Sequence, residues 1–163
     1  MHAARPSRIL PLVKVNIRRL GPGDEPILDL LAREDADFDV DGRGDALTSL
    51  APEAAAAYLA DPAVLHLIAV VDEVVAGYVT GHVLRLRAGE ATEFLLYEIG
   101  VRAAYRRHGV GRALVEAMCG WVRKQGMRYS WVLADNPAAV AFYRACRYDA
   151  PPDMAVFMGR AER

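Results

Sequence analysis

The sequence predicts an α/β sandwich (α+β in its order of elements) whose mixed, mainly antiparallel central sheet is flanked by about four helices. Three observations carry that expectation. Two β-branched runs, 64–71 and 74–86, meet across Asp72-Glu73 and read as a hairpin. Val110, Leu114, Val115, Met118 and Val122 recur at helical spacing. The elements as a whole follow the order βααββ–β–α–β–α–β.

Taken in order, the apolar stretch 12–20 reads as the first strand and runs into Gly21-Pro22-Gly23. Asp24 is placed to cap a helix over 25–33, with Ile27, Leu28, Leu30 and Leu31 on its apolar face. Residues 34–45 read as an acidic, glycine-punctuated loop. An Ala-rich helix follows over 52–59, with Pro52 in its first turn. After the hairpin come a strand over 92–101, a helix over 109–125 that Gly126 can close, and a short buried strand over 129–133. Asn136 or Asp135 caps a helix over 137–146, and a last strand lies near 154–158.

At 163 residues the chain has room for one well-filled core, so residues 12–163 are expected to form a single domain behind a loosely ordered tail, 1–11. The formal net charge of −1 gives no support to nucleic-acid binding. No apolar stretch reaches the length of a membrane span, and the N-terminus lacks the apolar core of a signal peptide. Cys119 and Cys146, without C-x-x-C spacing, read as reduced thiols, which suggests a cytoplasmic protein. His2, His66, His82 and His108 show no metal-ligand spacing, so no metal is expected.

The most telling segment is Val101-Arg102-Ala103-Ala104-Tyr105-Arg106-Arg107-His108-Gly109-Val110-Gly111-Arg112. A strand-like run reaches a short basic loop, and the loop opens a helix. Backbone N–H groups at a helix N-terminus, helped by the helix dipole, make a ready site for an anion. Gly109 and Gly111 remove side chains that would block a phosphate, while Arg106, Arg107 and Arg112 add positive charge. Neither a P-loop nor a dinucleotide fingerprint fits, since no Lys-Ser or Lys-Thr follows and a third glycine is lacking.

The spacing Arg106-x-x-Gly109-x-Gly111 resembles the coenzyme A loop of the GNAT acyltransferase superfamily. A second segment, Asp135-Asn136-Pro137-Ala138-Ala139-Val140-Ala141-Phe142-Tyr143, is similar to the N-x-x-A-x-x-F-Y element of the same superfamily. One departure stands out. Where that family has glycine after this helix, the chain has Arg147, a poorer left-handed C-cap.

The resemblance implies a GNAT fold and acetyl-CoA as co-substrate. It places the pyrophosphate on the backbone of Arg107, His108, Gly109, Val110, Gly111 and Arg112, with Arg106 beside it. Ile99, Gly100 and Val101 would hold the pantetheine arm along the strand, and Asn136 would contact that arm or organise the loop. Glu98 interrupts an apolar strand where a charge is costly to bury, and it is the candidate base for the acceptor ammonium. Tyr143 matches the family's general acid for the departing thiolate.

The segment 34–41 holds five carboxylates in eight residues and borders the acceptor groove in this superfamily. Arg33-Glu34-Asp35-Ala36-Asp37, Leu96-Tyr97-Glu98-Ile99 and Ala134-Asp135 before Pro137 resemble the aminoglycoside 3-N-acetyltransferases of the gentamicin and fortimicin type. That family has Asp where this chain has Glu98. The resemblance implies that Glu34, Asp37, Asp39 and Asp135 bind ammonium groups of a small polycationic amine, with neither nucleic acid nor membrane as partner. Members often form homodimers, and no surface in the sequence specifies how. Acetylation of another amine (a polyamine, a peptide α-amine or a small metabolite) stays open, as does a CoA-binding domain without turnover.

Overall fold

The computed structural model describes residues 14–38, 47–87 and 92–149. The tail 1–11, Asp39 and the expected strand near 154–158 lie outside the described residues. The chain forms two compact units, Met1–Leu133 and Ala134–Arg163.

The first unit is built on five strands: β1 (Asn16–Arg19), β2 (Val64–Val71), β3 (Val74–Arg85), β4 (Thr92–Val101) and β5 (Ser130–Val132). They lie side by side in chain order, antiparallel from β1 to β4 and parallel between β4 and β5. A parallel neighbour needs a crossover. Helix α4 (Val110–Lys124) supplies it. The β2–β3 turn is the two-residue Asp72-Glu73, both at positive φ (46° and 66°), the handedness that matches strand twist in a tight hairpin.

Helix α4 turns Val110, Leu114, Val115, Met118 and Val122 inward, the stripe its sequence spacing predicts. On the sheet it meets Phe94, fully buried, whose ring lies 5.7 Å from that of Trp121. The opposite sheet face is covered by α1 (Glu25–Arg33), α2 (Asp35–Phe38) and α3 (Pro52–Ala60). There Leu31, Phe38 and Leu59 pack with Leu20, Ile68 and Tyr78. Covered on both sides, β2 is buried along nearly its whole length, which explains its continuous apolar run.

Three expectations are revised within the described residues. The first strand is shorter than 12–20, spanning Asn16–Arg19. Asp24 precedes α1 but supplies no side-chain cap; its carboxylate instead accepts from Arg18 at 2.8 Å and from the Gly21 N–H at 2.9 Å. Residues 35–38 form the helical turn α2 rather than loop, because Phe38 is buried in the core and Arg102 holds the acidic side chains.

In the second unit, α5 (Pro137–Ala145) begins at Asn136, whose Oδ1 accepts from the Ala139 N–H at 2.8 Å. It ends in a paired-bond cap. Arg147 takes φ +69°, its N–H reaches Arg144 O at 3.0 Å, and Tyr148 N–H reaches Tyr143 O at 3.0 Å. The rings of Tyr143 and Tyr148 close the turn at 5.8 Å. Thus the left-handed position expected to disfavour Arg147 is adopted, stabilised by two backbone bonds and an aromatic contact.

Candidate active site

Strand β4 carries an irregularity that governs the site. Leu96 pairs with Gly81 and Glu98 with Thr80, so Tyr97 is an extra residue, a β-bulge. Phe94 and Leu96 are buried on the α4 side. Past the bulge the phase changes. Tyr97 lies edge-on to His82 with ring centroids 5.7 Å apart, and Glu98 accepts a 2.5 Å hydrogen bond from the Tyr78 hydroxyl. Both side chains therefore leave the sheet on the face covered by α1 to α3. Glu98 is exposed, so its carboxylate is open to an incoming group.

Glu98 ends a cross-strand row, since His66 pairs with Thr80 on β3 and Thr80 with Glu98 on β4. The Tyr58 hydroxyl lies 3.2 Å from His66 Nδ1 and 2.7 Å from Thr80 Oγ1. Burial pushes His66 down to about 4, so it is neutral at physiological pH. Burial also pushes the Tyr58 phenol up, and the nearby Glu98 charge adds to that rise.

Beyond Leu96 the sheet opens. Strand β5 pairs with β4 only from Phe94 to Leu96. Phe94 N–H points across to Tyr129 O, and by alternation along the ladder Ile99 and Val101 direct their main-chain groups toward the side β5 has left. On that side Val101 O accepts from Arg106 Nε at 2.8 Å.

The basic loop follows a turn of 3-10 helix, Ala103–Tyr105. Arg107 (φ +66°) and Gly109 (φ +84°) are both left-handed around His108, an alternation of hand that lets successive N–H groups converge. The first helical bond of α4 is Ala113 N–H to Gly109 O at 3.0 Å, so the N–H groups of Val110, Gly111 and Arg112 precede the ladder. A Cβ at Gly109 would meet nothing within 4 Å, leaving the space outside the turn clear for a ligand. His108 Nδ1 lies 2.7 Å from Arg106 O and steadies the loop. These residues fit a pyrophosphate. Arg106 also joins the loop to α2, its guanidinium donating to Phe38 O at 3.2 Å.

The acidic residues are partly engaged. Arg102, with its side chain only 14% exposed, donates to Glu34 and, at 2.9 Å, to Asp37. It also donates to Val75 O at 2.7 Å and stacks 4.5 Å above the Phe38 ring. Each carboxylate keeps further lone pairs for a second donor. Sequence reading assigned Tyr78 and Arg102 no part; the only signals were a phenol inside an apolar strand and a cation just past one.

The second unit holds Asp135, Asn136 and Tyr143. Asn136 Nδ2 donates to Asp135 Oδ1 at 3.0 Å while its Oδ1 caps α5. Tyr143 is buried, and its phenol is pushed up to about 12 by burial, with Cys146 and Asp135 adding to the rise. It therefore keeps its proton throughout the physiological range.

An exposed strand carboxylate at a bulge, an opening sheet edge and a glycine loop feeding a helix match a known plan: residues 29–148 match the acetyltransferase (GNAT) family. The chain belongs to the GNAT family. Over 59 residues it is 37% identical to the [ribosomal protein bS18]-alanine N-acetyltransferase of Escherichia coli K12, a match covering 35% of this chain and 40% of that protein. An aminoglycoside acetyltransferase from an uncultured soil metagenomic sample, solved with sisomicin, superposes at a TM-score of 0.77 with 21% identity, covering 91% of this chain and 97% of its own. A ribosomal-protein-alanine N-acetyltransferase from Brucella melitensis gives a TM-score of 0.68 at 20% identity, over 91% of this chain and 100% of its own. At these identities the structural likeness speaks for the fold. The family is one of acetyltransferases, and none of this chain's helices among the described residues is long and apolar enough to cross a membrane.

Proposed function

We propose that this GNAT enzyme transfers acetyl from acetyl-CoA to an amine of a small polycation, and that the acceptor is an aminoglycoside acetylated at its 3-amino group. The observation that carries the reading is the link between Glu98 and the acidic turn. One side chain, Tyr78, hydrogen-bonds Glu98 and packs 5.4 Å from Phe38, the last residue of α2. The proposed base is thus linked, through Tyr78 and Phe38, to the turn that carries Asp37, where ammonium groups would collect. Structural likeness to a sisomicin-bound acetyltransferase supports the same reading.

In this mechanism an acceptor ammonium gives its proton to Glu98, directly or through water, and the freed lone pair attacks the thioester carbonyl carbon. The C–S bond breaks, the leaving thiolate takes a proton from the Tyr143 hydroxyl, and the second proton shed by the attacking nitrogen as it becomes the amide passes through water to restore that phenol. Backbone amides of 107–112 hold the pyrophosphate, and the main chain of Ile99, Gly100 and Val101 holds the pantetheine arm. Asp39 and Asp135 complete the proposed acceptor set, and a cytoplasmic setting goes with the reading.

A second reading is favoured by the 59-residue match to a ribosomal-protein alanine acetyltransferase: the acceptor is a peptide α-amine. CoA release with gentamicin, kanamycin, apramycin, spermidine and an N-terminal alanine peptide separates them. Turnover mainly with gentamicin supports the first reading. Turnover confined to the peptide or to spermidine discards the aminoglycoside and keeps the chemistry.

A further inference from the structure

Tyr78 stands opposite Gly100 on the β3–β4 ladder, two places from the pair Thr80–Glu98. Its ring is 6% exposed, edge-on to Phe38 at 5.4 Å and tilted against His66 at 5.7 Å. A Cβ at Gly100 would lie 2.7 Å from Tyr78 Cε1 and 2.9 Å from Phe38 Cβ, so the glycine provides the room the ring occupies. Glu98, in contrast, is an exposed side chain on three rotatable bonds. The immobile partner therefore determines the conformation of the mobile one, through a short O–H···O⁻ bond of the strong, charge-assisted kind.

We infer that Tyr78 is a positioning residue for the acceptor side of the reaction. It holds Glu98 Oε1, leaves Oε2 for the ammonium proton and keeps its own proton throughout. Because its ring rests on Phe38, the pose of the carboxylate follows the seat of α2, which Arg102 and Arg106 tie down. The turn that would receive the polycation and the group that would deprotonate it are thereby set by one side chain. This rests on Glu98 being the base, as proposed above.

The test is a double-mutant cycle. Tyr78→Phe removes one oxygen and keeps the ring's packing. It is measured alone, with Glu98→Gln alone, and with both, using whichever of gentamicin, spermidine and an N-terminal alanine peptide is turned over fastest. Small misplacements of a reacting group cost up to about 100-fold. Tyr78→Phe should therefore lower kcat by about 10-fold to 100-fold, leave acetyl-CoA affinity unchanged, and cause no further loss once Glu98 is Gln. Phe38→Leu, which loosens the ring without touching the hydroxyl, should show a smaller loss with the same dependence on Glu98. Full activity of Tyr78→Phe, or an equal fold-loss in both backgrounds, overturns the inference while an impaired Glu98→Gln keeps the base reading standing. Full activity of Glu98→Gln removes the base, and the role of Tyr78 with it.

Discussion

His66 and Thr80 face one another across the β2–β3 ladder, and a single hydroxyl, that of Tyr58, lies within hydrogen-bond reach of both. His66 is 7% exposed, and among the described residues its Nε2 has no hydrogen-bond partner. Protonation in place would put an unpaired charge in the core. The unfolded chain binds that proton below pH 6.5, the folded protein only near pH 4. Stability is thus full above pH 6.5 and falls as pH drops toward 4, by about 2 kcal/mol at pH 5. Urea midpoints should decline over this window in the unaltered protein and flatten in His66→Phe. A midpoint that holds steady from pH 7.5 to 5 would contradict it.

Gly109 has open space at its Cβ position but a φ of +84°. The cost of Gly109→Val is therefore backbone strain, about 1–2 kcal/mol, which the loop can relieve only by turning its N–H groups away. Acetyl-CoA should bind roughly tenfold more weakly in calorimetry. Undiminished affinity would show that the pyrophosphate lies elsewhere.

Tyr143→Phe keeps the buried ring and removes the proton. General acid help is worth about 10²–10⁴-fold, so turnover should fall on that scale while acetyl-CoA affinity is kept. Steady-state rates beside a binding isotherm decide the matter, and an unchanged kcat takes Tyr143 out of the mechanism.

If Glu34 and Asp37 receive ammonium groups alongside Arg102, the attraction is exposed to solvent and salt screens it. KM for gentamicin should rise between about 50 and 500 mM salt, the Debye length shrinking about threefold. A flat KM would confine those carboxylates to holding Arg102.

Arg147 takes the left-handed conformation that glycine adopts without penalty. Arg147→Gly should stabilise the protein by about 0.5–1 kcal/mol, the relieved strain being partly offset by a freer unfolded chain. A lowered urea midpoint would mean that the Arg147 side chain does more than tolerate its place.

Elements governed by local pattern were legible in the sequence. Helix α1 falls on 25–33 and strand β4 on 92–101, because periodicity and flanking turn residues suffice to define them. What eluded reading depends on distant partners. The four residues of α2 have no room for a helical pattern and owe their form to Arg102, 65 positions from Asp37. Asp24 was expected to cap because nothing local reveals that Arg18 would claim it. Glu98 stood out as a charge in an apolar run, whereas its partner Tyr78 could be found only once the register of β3 on β4 was known.

That register has a corollary for how such a site arises. Were Tyr97 paired in regular register instead of bulged, strict alternation would place Glu98 where Leu96 and Phe94 point, against the apolar stripe of α4, and Ile99 would turn toward Tyr78. Point substitution cannot repair such an inversion, because every residue downstream would face the wrong way. The bulge does what no exchange of side chains could: it lets a half-strand that buries Phe94 and Leu96 and one that presents Glu98 share the same backbone.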